Sequence, residues 1–498
     1  MLLDINVLYE NPAVHQLWPM LILVLAMGMI LFAWFSLDRR TGYILIGTII
    51  GFCLPAAAIN AFNMFTDPEM MFMQGGLLFG MVAFDNIYLF LIMLFSIYLL
   101  GVLSFSRDIF GDEEKWNWPA YLCACIVSLI GIILLASTRH MILFVIAMEL
   151  SFLSHCILLL FEKGNVAESS RGVRRYAVWG LIGSAITIYG VSLLYRGTGC
   201  LDFQQIALRL SLGGVSPMEV IALSCFAIGL CFQMGVLPFQ NCYVSLFRSG
   251  GADLNIWLGV APIAAGLIAM ARLFHLLAWF TSDDFNRYAV IVLCVIGGVT
   301  MCWANIAALR EKKVKKILAW GTAAQVGGLL MGVAIWQDNS GLAAVMAYLI
   351  VLALMNFVVF GAAGIVEWRT GKDELTEYAG LWGRSPLLAM MMTLSLCSLM
   401  GLPPLAGFTV KWNLLFVLWQ KGLTFPAVIM MLNIFVSLIY YLRIVRVLAV
   451  PSANREKITT PVLPAVFMWM GLIGFTGLFF VRYSFFRFIN TILYGIFG

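Results

Sequence analysis

The chain reads as an all-α polytopic membrane protein of about 14 transmembrane helices, folded as two inverted five-helix repeats with one broken helix in each. Three observations predict this. First, 62% of residues are hydrophobic and only 11% charged, with a mean hydropathy of +0.97, which excludes a water-soluble domain hiding its apolar surface inside. Second, apolar stretches of about 20 residues recur along the whole length. Third, Met234-Gly235-Val236-Leu237-Pro238 and Met400-Gly401-Leu402-Pro403-Pro404 each interrupt a hydrophobic segment of about 30 residues, longer than one span needs. Proline inside a span removes a backbone donor, and hydrocarbon tolerates the freed carbonyls only where they line a polar cavity. Paired breaks at Gly235 and Pro238 and at Gly401, Pro403 and Pro404 therefore point to a path near the midplane.

The first candidate span, 17–36, is too long for a cleaved leader and has no basic residues before it, so it is expected to remain in the membrane. Spans 2 and 3 follow at 43–63 and 82–104, the latter opening near Asp85. Spans 4, 5 and 6 cover 118–137, 140–161 and 174–195. Span 7, 218–247, carries the first break, and span 8 covers 254–280. Spans 9, 10 and 11 run over 288–309, 315–336 and 342–366. Span 12, 386–420, carries the second break, and 425–449 and 461–481 close the series. Because spans 7 and 12 lie an odd number of spans apart, the second copy enters the membrane from the opposite side. Four segments follow: 1–115 with spans 1 to 3, 116–280 as the first repeat (spans 4 to 8), 281–450 as the second (spans 9 to 13), and 451–498 with span 14.

Basic residues sort by loop. The odd-numbered connections hold 21 of them, among them Arg174, Arg175, Arg310, Lys312, Lys313, Lys315 and Lys316, against 7 in the even connections and tails. That asymmetry predicts odd loops in the cytoplasm and both termini outside. The run from Arg310 to Lys316 reads as a cytoplasmic anchor, with no aromatic interleaving that would suggest nucleic acid. The loops are too short to hold a soluble catalytic domain, so any chemistry must sit in or beside the bilayer. Eleven cysteines occur without a C-x-x-C pair or a histidine at ligand spacing, and no metal or other cofactor is expected in this chain.

Two basic residues fall inside spans, Arg272 and Lys411. Lys411 lies seven residues beyond Pro404, about two helical turns past the break and near the middle of its segment. A buried lysine can take and release a proton, so Lys411 is the candidate proton site. Glu149 is the acidic residue in the middle of a span and needs a cation or a proton; Arg174, Arg175 and His155 are the candidate partners. His155 sits on another face of the helix and reads as a hydrogen-bonded core histidine. Asp85 is equally open to a helix-start and a functional role, and Arg272 to snorkelling and a functional role. His140 and His275 lie near span ends and acquire no role.

These motifs resemble a family. Gly401-Leu402-Pro403-Pro404-Leu405-Ala406-Gly407-Phe408-Thr409-Val410-Lys411 resembles the G-x-P-P-x-A-G-F-x-x-K signature of the antiporter-like membrane subunits of respiratory complex I, the proton-translocating NADH-quinone oxidoreductase. Gly183 through Tyr195 resembles the family's sixth span, Glu149-Leu150-Ser151-Phe152-Leu153-Ser154 its fifth-span glutamate motif, and Ala308 through Trp320 its approach to span 10. The similarity covers roughly residues 115–450. The span count is most like the subunit N branch, with subunit M, hydrogenase membrane subunits and the D subunit of multisubunit cation/proton antiporters close behind. The resemblance implies proton translocation with Lys411 as central carrier, a Glu149–Arg175 pair between spans 5 and 6, no redox chemistry in the chain itself, and a bacterial inner membrane. It also implies other membrane-arm subunits of a large redox complex as partners, alongside the lipid bilayer.

The departures are specific. Gln233 stands where the family's broken span 7 has its lysine, Gln240 replaces a histidine, the span 8 lysine falls at or near Ile263, and the span 10 histidine falls on Gln325. Arg175 replaces a lysine, and arginine, always protonated, can hold a carboxylate but cannot alternate as a carrier. Two functional classes remain open: a proton-translocating subunit working mainly through its second half, and a structural spacer that kept the fold and lost conduction. A separate cation/proton antiporter would be expected to place carboxylates beside the break for a hard cation, and the sequence shows none there.

Overall fold

The computed structural model of the chain describes residues 12–36, 39–66, 75–77, 80–109, 118–161, 166–280, 283–336, 339–451 and 456–493. The N-terminal helices are α1 (Pro12–Ser36), α2 (Arg39–Thr66) and α3 (Asn86–Ile109). A short antiparallel hairpin, β1 (Gly75–Leu77) and β2 (Val82–Phe84), precedes α3 and bridges through Val82 to Thr138. Next come α4 (Trp118–Ser137), α5 (Met141–Leu160), α6 (Val166–Thr198) and α7 (Phe203–Gly213), a short amphipathic helix in the connection between spans 6 and 7. Span 7 is α8 (Pro217–Met234) and α9 (Gln240–Ser249), and span 8 is α10 (Ala252–Leu258) and α11 (Ala261–Phe280). The second half is built from α12 (Asp283–Arg310), α13 (Val314–Val333) and α14 (Asn339–Thr370), then the one-turn α15 (Leu381–Arg384). It is completed by the halves of span 12, α16 (Pro386–Met400) and α17 (Ala406–Gln420), with α18 (Thr424–Ala449), α19 (Val462–Phe480) and the amphipathic α20 (Arg482–Leu493) following.

Among the described residues twelve helices are long and apolar enough to cross a membrane; α13, whose first turn carries Lys315 and Lys316, and the split pair α16–α17 supply the other two expected spans. Helices α14 and α10–α11 form the centre of the bundle, with almost every residue of both buried. In α12 and α13 the two backbones touch: a Cβ on Gly297 would lie 2.5 Å from the carbonyl oxygen of Gly327, and one on Gly327 2.6 Å from that of Gly297. Only glycine permits that approach, which in lipid supplies packing that no hydrophobic effect between helices provides.

The two breaks share one backbone design. Gly235 (φ 65°) and Gly401 (φ 84°) end α8 and α16 in the left-handed region, where a side chain is disfavoured. In each, the amide after the glycine donates back six-to-one, Val236 to Cys231 O at 3.0 Å and Leu402 to Cys397 O at 3.1 Å. The glycine amide donates to Phe232 O at 3.1 Å in one and to Ser398 O at 2.9 Å in the other, completing a Schellman cap. A cis peptide bond precedes Pro238 and Pro404. The amides freed by the interruptions are caught by side chains: Leu237 N–H by Thr300 Oγ1 at 3.1 Å, and Gly407 N–H by Ser398 Oγ at 3.2 Å.

Span 8 differs from the single helix expected over 254–280. Pro262 stands at the start of α11 and has no N–H for Leu258 O, so the helix stops and restarts around Gly259. The freed carbonyl of Leu258 instead accepts the Tyr243 hydroxyl, and that of Gly259 accepts Asn356 Nδ2 at 3.0 Å.

Candidate functional site

Lys411 sits in the second turn of α17. Helical side chains lean toward their own N-terminus, so its chain runs back over the break and Nζ donates to Leu399 O, 2.5 Å away in the last turn of α16. The residue is buried at 3% exposure. A Cβ on Gly401 would come within 3.1 Å of Lys411 Cδ, so the glycine clears room for the lysine as well as turning the chain. Among the described residues Lys411 has no carboxylate partner; a helix-end carbonyl is what faces the ammonium.

Leu399 O also lies 3.5 Å from Gln325 Nε2 of α13. Gln325 Oε1 in turn accepts the hydroxyl of Tyr348 from α14. One turn earlier on α13, Thr322 Oγ1 meets Asn356 Nδ2 at 3.4 Å, the amide that also bonds Gly259 O. On the other side, Tyr440 donates to Asn305 Oδ1 at 3.0 Å and Asn305 to Asn433 Oδ1 at 2.8 Å. The second half thus holds Gln325 and Tyr348 linked to Lys411 through Leu399 O, with two further buried polar groups, Thr322–Asn356 and Tyr440–Asn305–Asn433, in the same half.

The first half is arranged differently. Gln233, at the lysine position, donates to Ser151 Oγ at 2.8 Å, and Ile263 is fully buried. His155 is hydrogen-bonded to Ser128 Oγ at 3.0 Å, which also accepts Trp257 Nε1 at 2.9 Å; it is a core histidine, as its position on the helix implies.

The expected Glu149–Arg175 ion pair is not formed. Glu149 Oε1 is buried without a hydrogen-bond partner, while Arg175 points out of the bundle. Consecutive helical side chains project about 100° apart. Tyr176 turns inward to stack on Phe232 (centroids 5.2 Å) and to pack at a tilt against Phe152 (5.4 Å), which carries Arg175 away from Glu149.

Arg272, open between snorkelling and function in the sequence, is an interior cation. Its Nη1 lies 2.6 Å from Asp85 Oδ2 with both side chains under a tenth exposed, and Asp85 Oδ1 also caps α3 by accepting Tyr88 N–H at 2.9 Å.

Sequence reasoning missed a cluster at the opposite end of the bundle. Lys315 Nζ forms an ion pair with Glu367 and donates to Gly250 O at 2.8 Å, and its backbone N–H donates to Asp373 at 3.1–3.2 Å. Tyr378 donates to Asp373 Oδ1 at 3.1 Å. Asp253, 1% exposed, takes a 2.5 Å bond from Tyr121 and feels the Lys315 charge. Burial, with a smaller push from Glu367, outweighs the nearby Lys315 and raises the Asp373 carboxyl to about 7. Lys315 was grouped with a basic anchor because it lies in a run of cations; the signals were Asp253 just inside span 8 and Asn356 in the middle of span 11.

Paired broken helices, a buried lysine on one of them and a fourteen-span bundle define an antiporter-like membrane subunit. Residues 138–437 match the family described as NADH:quinone oxidoreductase/Mrp antiporter, transmembrane region, and the chain belongs to that family. It is 31% identical over 409 residues to NADH-quinone oxidoreductase subunit N 2 of Rhizobium meliloti (strain 1021), covering 80% of this chain and 83% of that protein. Its fold is similar to a chain of the membrane-bound sulfane sulfur reductase, an archaeal respiratory membrane complex (TM-score 0.86, 19% identity, 98% of each chain). It is also similar to a chain of respiratory complex I from Thermus thermophilus (TM-score 0.78, 19% identity, 94% of this chain and 98% of that one).

Proposed function

We propose that this chain is a membrane-arm subunit of a redox-driven proton pump of the NADH-quinone oxidoreductase type, moving protons through a path centred on Lys411. The observation that carries the reading is Lys411 itself, buried at the broken helix against a carbonyl and among polar groups, where a structural spacer has no physical need of a cation. Lysine exists as ammonium or amine, so it can load from one side and release to the other, while the broken helix supplies carbonyls for water. Electron transfer belongs to other subunits. The four segments, 1–115, 116–280, 281–450 and 451–498, act as N-terminal spans, first repeat, second repeat and C-terminal span. The relatives' names and sources support neighbours in a membrane arm and a bacterial inner membrane; the loop charges support odd loops in the cytoplasm.

The alternative, a conduction-deficient spacer, is favoured by Gln233 and Ile263 in the first half. One experiment separates the two. The intact complex in sealed vesicles is driven by its own redox reaction and the protons moved per electron are measured. Lys411→Ala is expected to lower that ratio with assembly intact, and Lys411→Arg to fail likewise because arginine does not release its proton. An unchanged ratio in Lys411→Ala makes the chain a spacer.

A further inference from the structure

We propose that protons reach Lys411 from the Lys315–Glu367–Asp373–Asp253 cluster along the seam between the two halves, through the interruption of span 8, bypassing the broken helix of the first half. This rests on the Lys411 reading above and adds an intake route to it.

The cluster runs from wet to dry. Glu367 has about a third of its side chain exposed (32%), Lys315 4%, and Asp253 1%. The segments that converge there, 250–253, 311–316 and 367–378, lie at odd connections, the side proposed as cytoplasmic. A proton taken from water by Glu367 or Asp373 meets Lys315, which hands its own proton inward as it accepts the new one. Asp253 receives it next. The groups facing Asp373 are Lys315 from α13, Glu367 from the end of α14 and Tyr378 from the following turn; Tyr121 of α4 faces Asp253.

From the cluster a line of polar groups leads inward. Gly250 O binds both Lys315 Nζ and Asn255 Nδ2, the latter at 3.0 Å. Asn255 is fully buried and its Oδ1 has no hydrogen-bond partner, although the site is walled by polar backbone. An orphaned acceptor in such a place is where water is held. One turn on, the chain breaks at Gly259, whose carbonyl meets Asn356; Asn356 meets Thr322, and Gln325 beyond it shares Leu399 O with Lys411. Amides and carbonyls are not carriers themselves. They order the water that carries the proton, and the number of protons is conserved from cytoplasmic water to the Lys411 amine. The first-half alternative has no cation at Gln233 and an aliphatic wall at Ile263.

The test uses the intact complex in vesicles, reading protons moved per electron together with subunit content. Asn356→Leu and Asp253→Asn are expected to lower the ratio at least twofold, as Lys411→Ala does, and Asn356→Ser to restore most of it by keeping a polar group in the seam. Gln233→Met is expected to leave the ratio unchanged. The uptake rate of the unmodified complex should fall as pH rises through about 7, where Asp373 loses its proton, and Asp373→Asn should remove that inflection; a merely structural role would not move it. If Asn356→Leu and Asp253→Asn assemble and pump at the full ratio, or Gln233→Met lowers it, the seam route is overturned. If Lys411→Ala alone leaves the ratio unchanged, it is the Lys411 reading that fails.

Discussion

A single buried cation can be a carrier or a strut, and its partners distinguish the two. Lys411 faces a carbonyl, and no carboxylate among the described residues fixes its charge. Arg272 faces Asp85 at 2.6 Å, and arginine does not give up its proton in a protein. Arg272 therefore ties α11 to the start of α3, holding the N-terminal spans against the first repeat. Removing one partner of such a pair leaves an uncompensated buried charge and costs ~3–5 kcal/mol, whereas removing both costs much less. Arg272→Met or Asp85→Asn alone should thus lower the thermal midpoint of the detergent-solubilised complex more than the double replacement does. Additive losses across that double-mutant cycle would show the two residues to be uncoupled. Residues of this kind were half legible in the sequence. The charge inside a span was visible, and so was its rarity, but its partner lies some 190 positions away in the chain. The Glu149–Arg175 pair is absent for a local reason: neighbouring motifs carry no information on which way Tyr176 turns its neighbour.

At the scale of the helix, both breaks were legible because glycine and proline act locally. A left-handed glycine followed by a proline stops a helix whatever surrounds it. The third interruption, at Gly259 with Pro262 behind it, carried the same local signal and was hidden by the continuity of the hydrophobic run. Gly235 and Gly401 are each needed for two reasons, a left-handed backbone and a close neighbour. A left-handed conformation costs a residue with a side chain ~1–2 kcal/mol. To that, Gly401→Ala adds a 3.1 Å contact with the flexible Lys411 chain, whereas Gly235→Ala drives a Cβ to 2.3 Å from Cγ of Tyr243, a buried ring that has no room to yield. Gly235→Ala should therefore be the more destabilising, by ~1–3 kcal/mol over the strain both share. Gly401→Ala should assemble with pumping reduced, as the lysine is displaced. Thermal midpoints in the reverse order would mean that the Tyr243 ring shifts freely and the first break is loosely packed.

For the molecule as a whole, composition and charge reach furthest, because the bilayer constrains every span at once. The fourteen-span bundle follows from length and hydropathy, which need no partner residue, while the small hairpin before α3, the amphipathic α7 and α20, and the intake cluster depend on tertiary contacts that composition does not encode. Orientation is a global property of the same kind. The 21 to 7 distribution of basic residues between odd and even loops is the ground for the proposed orientation, with odd loops in the cytoplasm and both termini outside. The cluster around Lys315 fits that proposed orientation: a pump would take its protons from the cytoplasmic side, and Glu367 is about a third exposed where the odd loops gather. Reporter fusions test it directly. A periplasm-active enzyme joined after residue 498 is expected to be active, and the same enzyme placed in the loop near Lys372 inactive; a cytoplasm-active reporter should give the opposite pair. An active periplasmic reporter near Lys372 would turn the bundle over, put the acidic intake on the outer face, and leave the Lys411 path running in the wrong direction for a proton pump.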